Sequence, residues 1–264
     1  MLAAGRLSVA AFVEMGPRTS PEVRVAALAD LHATWGDDGL GEQLHRVADG
    51  ADILVLPGDL TCLGTYEEAQ SVAVAVADLD LPVVAVLGNH DHEGGQPQQV
   101  RRWLEAAEIC VLEREATTLE VNGVSVGFAG TKGFGGGFVG ATGSSFGETE
   151  MKQFIEHTKS CAGGLEAALL SLDTDIRIAL VHYSPVRETL EGEPPELYAF
   201  LGSSLLADAV DRGGADVVFH GHAHLGKEIG TTKAGVPVRN VAATVVGATG
   251  ARYRIGPGRS AERI

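Results

Sequence analysis

Cysteine is scarce in this sequence. Cys62, Cys110 and Cys161 stand far apart, odd in number and without a C-x-x-C spacing. That argues against a disulfide framework and a thiolate zinc site and suits a reducing compartment, so a cytoplasmic location is expected. Basic residues are also few: 20 Lys and Arg face 35 Asp and Glu, a formal charge of −15. They are dispersed, with Arg101-Arg102 the one adjacent pair. A surface of this sign opposes long nucleic acid and anionic membrane as partners. No apolar run approaches the ~20 residues of a membrane span. Near the start, Leu7–Val13 is apolar, but Glu14 interrupts it and no small-residue cleavage site follows. With Gly16, Pro17, Ser20 and Pro21 next, residues 1–22 read as a loose N-terminal extension rather than a leader.

What is present is enough apolar material for a sizeable core: 264 residues, 45% hydrophobic and 21% charged. This excludes a largely disordered chain or a fibrous repeat. Short β-rich apolar runs recur at Val23–Ala29, Ile53–Leu56, Val83–Leu87, Val124–Ala129, Ile176–Val181 and Val217–Phe219. Helical periodicity lies between several of them, over 40–48, 66–79, 98–107, 148–159, 165–172 and 203–210. Strands alternating with helices predict α/β architecture, and continuous apolar strands predict burial on both faces. Two late runs, Val236–Val246 and Arg252–Ile255, have no helix between them and read as neighbouring antiparallel strands. No linker divides residues 23–264, which read as one domain.

The chemistry sits where the runs end. The first ends in Asp30-Leu31-His32, the second in Gly58-Asp59, and the third in Gly88-Asn89-His90-Asp91. The fifth ends in His182 and the sixth in His220-Gly221-His222-Ala223-His224. Ligands of open α/β sheets bind outside the carboxyl ends of the strands. Asp30, Asp59 and Asn89 follow one another at intervals of 29 and 30 residues, about one βαβ unit each. Any one of them alone reads as a helix cap or a satisfied polar group; together they predict a site. Carboxylate, imidazole and amide oxygen without thiolate suit manganese, iron or zinc. In Asp30-x-His32 and His222-x-His224 the partners are two apart, so on extended backbone both point the same way. Seven ligands exceed one tetrahedral ion and suffice for two if a carboxylate bridges, the usual clamp for displacement at phosphorus.

In these motifs the sequence resembles the calcineurin-like metallophosphoesterases, whose D-x-H, G-D, G-N-H-[DE], H and G-H-x-H elements appear here in order over about residues 24–250. The resemblance implies a two-layered mixed β-sandwich flanked by helices, four layers in the order α/β/β/α. It assigns Asp30, His32, Asp59 and His224 to one metal, and Asn89, His182 and His222 to a second that shares Asp59. His90 is expected to face the substrate, with Asp91 orienting its ring. The expected function is dinuclear-metal-dependent phosphoester hydrolysis of a small substrate, a phosphodiester above all. A metal-bridging hydroxide would attack phosphorus in line, without a covalent enzyme intermediate. The segment Gly58-Asp59-Leu60-Thr61-Cys62-Leu63-Gly64 lacks the arginine of the serine/threonine protein phosphatases, which argues against that branch. The chain looks closer to small bacterial phosphoesterases resembling cyclic-nucleotide phosphodiesterases. The alternatives are a catalytically silent scaffold of the same fold and a nuclease acting on short nucleotides.

Other histidines read as structural or solvated: His45 and His157 on helices, His220 packed inside, and His92 either structural or touching substrate. Gly135-x-Gly137-x-x-Gly140 fits a dinucleotide fingerprint, and Gly143-x-Ser145-x-Gly147 a nucleophile elbow. Neither has the strand–turn–helix context that those motifs need. The stretch Lys132–Gly147, with seven glycines among Phe134, Phe138 and Phe146, reads as a surface loop or a lid over the metals. A second insert, Glu188–Gly202, could shape specificity or make a dimer contact.

Overall fold

The computed structural model of the protein describes residues 22–258 and 261–264. The expected N-terminal extension, Glu22 apart, lies outside the described residues. Along the chain the strands are β1 (Val23–Ala27), β2 (Ile53–Pro57), β3 (Val83–Val86), β4 (Cys110–Val111), β5 (Glu115–Val121), β6 (Val124–Thr131) and β7 (Gly137–Phe138). They continue with β8 (Ala141–Thr142), β9 (Ile176–Val181), β10 (Val217–His220), β11 (Ile229–Thr231), β12 (Pro237–Asn240), β13 (Ala251–Ile255) and β14 (Glu262–Arg263). The helices are α1 (Leu40–Ala48), α2 (Tyr66–Val76), α3 (Pro97–Glu105), α4 (Thr149–Leu170), α5 (Tyr198–Leu201), α6 (Ser204–Gly213) and α7 (Ala243–Val246).

Two six-stranded mixed sheets form the centre, in the orders β14-β13-β1-β2-β3-β4 and β11-β12-β10-β9-β6-β5. In each, four neighbouring strands are parallel and the remaining strands antiparallel. The period of two along a strand builds the sandwich. Val126, Phe128, Ile178, Leu180, Val217 and Phe219 join one core with β1, β2, β3 and helices α1, α2 and α3. Their neighbours Ala129, Ala179, Val181 and Val218 turn outward to pack with Leu165 and Leu169 of α4 and Leu206 and Val210 of α6. The architecture is the expected sandwich between helical layers.

Three expectations change. The run Val236–Val246 is not one strand paired with Arg252–Ile255. β12 runs parallel to β10 in the second sheet, and β13 lies antiparallel to β1 in the first. Asn240 makes the break: its side chain accepts from Ala242 N at 3.1 Å and donates to Ala223 O at 2.8 Å. Its amide thereby turns the backbone locally. The chain then crosses between the sheets, with Ala243 N donating to Ala29 O at 3.0 Å. The segments 148–159 and 165–172 belong to one helix, α4, which runs through Gly163-Gly164. A Cβ on Gly164 would lie 2.4 Å from the Arg114 side chain, so this glycine makes room rather than a break. Finally, β5 was not expected. It is an edge strand whose residues are half-buried or exposed, so it carries no apolar run to read.

The loop leaving β2 is held by a capping box at the start of α2. Thr65 accepts from Glu68 N, and the buried Glu68 carboxylate accepts from Thr65 N and, at 2.8 Å, from Leu63 N. Thr65→Ala should cost about 1 kcal/mol in chemical denaturation. An unchanged midpoint would show that Glu68 alone holds this loop.

Candidate metal centre

The carboxyl ends of β1, β2, β3, β9 and β10 deliver the expected residues to one edge of the sandwich. The chain there leaves regular strand geometry: Asp30, His32, Asp59 and His222 all have positive φ, at 58°, 45°, 51° and 70°. Such conformations are rare outside glycine and cluster at functional sites. Amide bonds between strand ends hold two of them, Asp30 N to Gly58 O and His32 N to Asp59 O, both at 3.0 Å.

The glycines of the motifs make room for the polar side chains. A Cβ on Gly58 would lie 2.4 Å from the His182 ring, one on Gly88 2.1 Å from Asp59, and one on Gly221 2.4 Å from Asp30. Each glycine thus lets a strand end close on a side chain brought by another strand.

Asp59 is 1% exposed and lies at the middle. Its carboxylate accepts from His90 N at 2.8 Å and lies 3.3 Å from His182 Nε2 and 3.9 Å from His32 Nε2. Asn89 Oδ1 is 2.9 Å from His182 Nε2. On the other side, Asp30 lies 3.0 Å from His224 Nε2 and accepts from His222 N. Three groups therefore have donor atoms within 4.8 Å of one another: Asp30, His32 and His224; His32, Asp59 and His90; and Asp59, His182 and His222. All seven residues expected as ligands meet here.

The donor set fits cations. His32 Nε2 is buried without a hydrogen-bond partner, the orphaned lone pair that a cation would occupy. A backbone carbonyl fixes the His182 tautomer, as is usual for a ligating histidine. His182 Nδ1–H donates to Pro57 O at 3.0 Å, leaving Nε2 toward Asp59. Burial would lower the His182 pKa, but the Asp59 carboxylate outweighs it and raises it to about 9. Burial would raise Asp59 in turn, yet His182 and the His90 amide hold it well below the usual carboxylate range. His222, buried and beside His182, is lowered well below its ordinary value and is neutral at pH 7.

His90 and Asp91 depart from expectation. Asp91 is fully buried and makes no hydrogen bond to the His90 ring. Its carboxylate accepts from Gly88 N, Thr61 N, Thr61 Oγ1 and Leu60 N, at 2.7, 2.8, 2.6 and 3.2 Å. Asp91 thus ties the end of β3 to the loop after β2. The ring is oriented instead by Cys62, whose carbonyl accepts from Nδ1–H at 2.7 Å. His90 Nε2 is left available beside His32, with ring centroids 4.5 Å apart.

His220 is structural as expected: it is buried and bonded to Gly221 O and Thr189 Oγ1. His45, on the surface, bonds to Gly41 O. His92 is half-buried, and His157, though exposed, packs edge-on against Phe134 at 4.8 Å. The glycine fingerprint forms the β7–β8 hairpin and opens no helix. Ser145, of the nucleophile-like motif, bonds to Glu156 and Lys159. The two inserts are joined: Gly136 N donates to Ala199 O, and Gly137 N to Gly202 O. The second comes close to the site, since the Phe200 backbone lies near enough to the His222 ring to oppose the lowering of its pKa. The sequence leaves the role of this insert open because nothing local signals its approach to a distant ring.

The sequence profile of the calcineurin-like phosphoesterases matches residues 23–226. The chain belongs to that family. Among solved structures it resembles phosphopantetheinyl hydrolase (PptH) from Mycobacterium tuberculosis, at 15% identity and TM-score 0.61 over 84% of this chain and 89% of that one. It also resembles TT1561 of Thermus thermophilus, at 16% identity and TM-score 0.53 over 92% and 99% of the two chains. Identities this low speak for a shared fold. No curated protein matches the sequence. Among the described residues of this phosphoesterase, no helix is long and apolar enough to cross a membrane.

Protons and cations compete for His182. At pH 7 its ring is protonated in the cation-free protein, because its pKa stands above the pH. Adding Mn²⁺ at pH 7 in weak buffer should therefore release protons, and the release should shrink above pH 9. Uptake without proton release at pH 7 would mean that His182 is already neutral.

Proposed function

We propose that this phosphoesterase is a two-metal hydrolase of small phosphodiesters. The observation that carries the reading is the convergence of three donor groups on Asp59 and His32, with His32 Nε2 buried and unpartnered. Asp30, His32, Asp59 and His224 would hold one cation, and Asp59, Asn89, His182 and His222 the second. Manganese, iron and zinc all suit these donors. When bound, such ions make a water nucleophile available near neutral pH and neutralise phosphoryl oxygens.

The chain's own residues supply the rest. His90, its Nδ1–H committed to Cys62 O, presents Nε2 toward the site. There it would donate a proton or hydrogen bond to a phosphoryl or leaving oxygen, a task suited to imidazole. Asp91 acts as a positioning residue by fixing Thr61 and hence the Cys62 turn that orients His90. With a formal charge of −15 the protein favours small substrates over long nucleic acid. Three free cysteines suit the cytoplasm as its compartment.

Bis-p-nitrophenyl phosphate and the p-nitrophenyl mono-ester, offered to manganese-loaded protein, separate the substrate classes. Faster cleavage of the diester is expected, and Asp59→Asn should abolish both reactions; a preference for the mono-ester would overturn the phosphodiesterase reading. His90→Ala should keep its metal content while kcat falls roughly 10²–10⁴-fold. Loss of metal in that variant would move His90 into the ligand set, which its distance to His32 and Asp59 also permits.

A further inference from the structure

Lys132 follows β6 as His182 follows β9, and the two strands are parallel neighbours in register, Thr131 opposite Val181. His182 N donates to Lys132 O at 3.0 Å, so this lysine stands beside the metal centre. Its residue is 6% exposed, yet the ammonium has little to bind. Nζ donates to Gly133 O at 3.3 Å, a long contact. Among the described residues no carboxylate lies within 4 Å of it. The nearby Glu113 is engaged elsewhere, accepting from Thr131 Oγ1 at 3.0 Å and from Lys132 N at 2.8 Å. Two aromatic faces flank the charge: Phe134 at 4.7 Å and Tyr183 at 5.0 Å from Nζ to the ring centroids. Tyr183 in turn packs on His222, with centroids 4.3 Å apart, so one ring neighbours both the ammonium and an expected metal ligand. Half-buried His92 and exposed His157 lie near as well: burial, then the Lys132 charge, lowers the pKa of both.

A buried ammonium with one long hydrogen bond is costly unless an anion completes it. Aromatic faces hold such a cation without neutralising it. We infer that Lys132, between Phe134 and Tyr183, is a specificity-determining residue that takes a second anionic group of the substrate. The substrate class is then a phosphoester carrying a further phosphate, with the scissile group at Asp59 and the second phosphate at Lys132. This rests on the phosphoester reading above. It deepens that reading because the family motifs do not include Lys132.

The test is calorimetric titration of the full metal-loaded chain with alkane diphosphonates of three to six carbons, each against the alkyl monophosphonate of equal length. One diphosphonate should bind roughly ten- to a hundredfold tighter than its monophosphonate, the range of a charge-assisted hydrogen bond. Lys132→Met should remove that advantage, leave monophosphonate binding and bis-p-nitrophenyl phosphate cleavage unchanged, and keep the melting temperature at or above that of the parent. Lys132→Arg should keep part of the advantage. No advantage in the parent, or one that survives in Lys132→Met, would overturn the inference. A lower melting temperature with the preference intact would make Lys132 a structural strut. If diphosphonates bind as expected while no phosphoester is turned over, the hydrolase reading fails and the anion subsite stands.

Discussion

The Asp59 carboxylate is the point on which the centre depends. It stands at the end of a central strand of the first sheet and faces His182 from the second, 3.3 Å away. Two charged or chargeable groups this deeply buried are stable only in each other's company or around a cation. Asp59 also accepts from the His90 amide, so the strand end that carries Asn89 and His90 is fixed by the same carboxylate. Removing it would disconnect the two sheets at their functional edge as well as removing a ligand.

The surrounding backbone is shaped for that meeting. Gly58, Gly88 and Gly221 each sit where a Cβ would collide with His182, Asp59 or Asp30. Four of the expected ligands adopt positive φ, and amide bonds between strand ends hold two of them, Asp30 and His32, there. Strain of this kind costs about 1–3 kcal/mol per residue. A core joining three helices to both sheets supplies the rigidity that sustains it.

Much of this was legible in the sequence, and for a physical reason. A buried parallel strand reads as an unbroken apolar run, so a polar residue within about three positions of its end marks the sheet edge. Asp30, Asp59, Asn89, His182 and His222 were all found by that signal. What escaped had no such contrast. β5 alternates partly buried and exposed residues at an edge, and the helical periodicity lapses over 160–164, where Gly164 accommodates Arg114. The turn at Asn240 hid inside a β-rich run, because only the tertiary bond to Ala223 O tells the chain to leave the strand. The His90–Cys62 bond has no sequence signature, because a carbonyl belongs to every residue, and the family resemblance assigns the orienting role to Asp91 instead. Lys132 lies just past a strand end too, but an ammonium is no metal ligand and so stands outside the motif pattern.

The most direct test of the central claim, that Asp59 joins two cation sites into one, is electron paramagnetic resonance on protein loaded with two equivalents of Mn²⁺. Ions sharing a carboxylate are magnetically coupled, so the expected spectrum is the multiline signal of a manganese pair, with metal analysis giving two ions per chain. An uncoupled six-line spectrum at full occupancy, or saturation at one ion per chain, would contradict it.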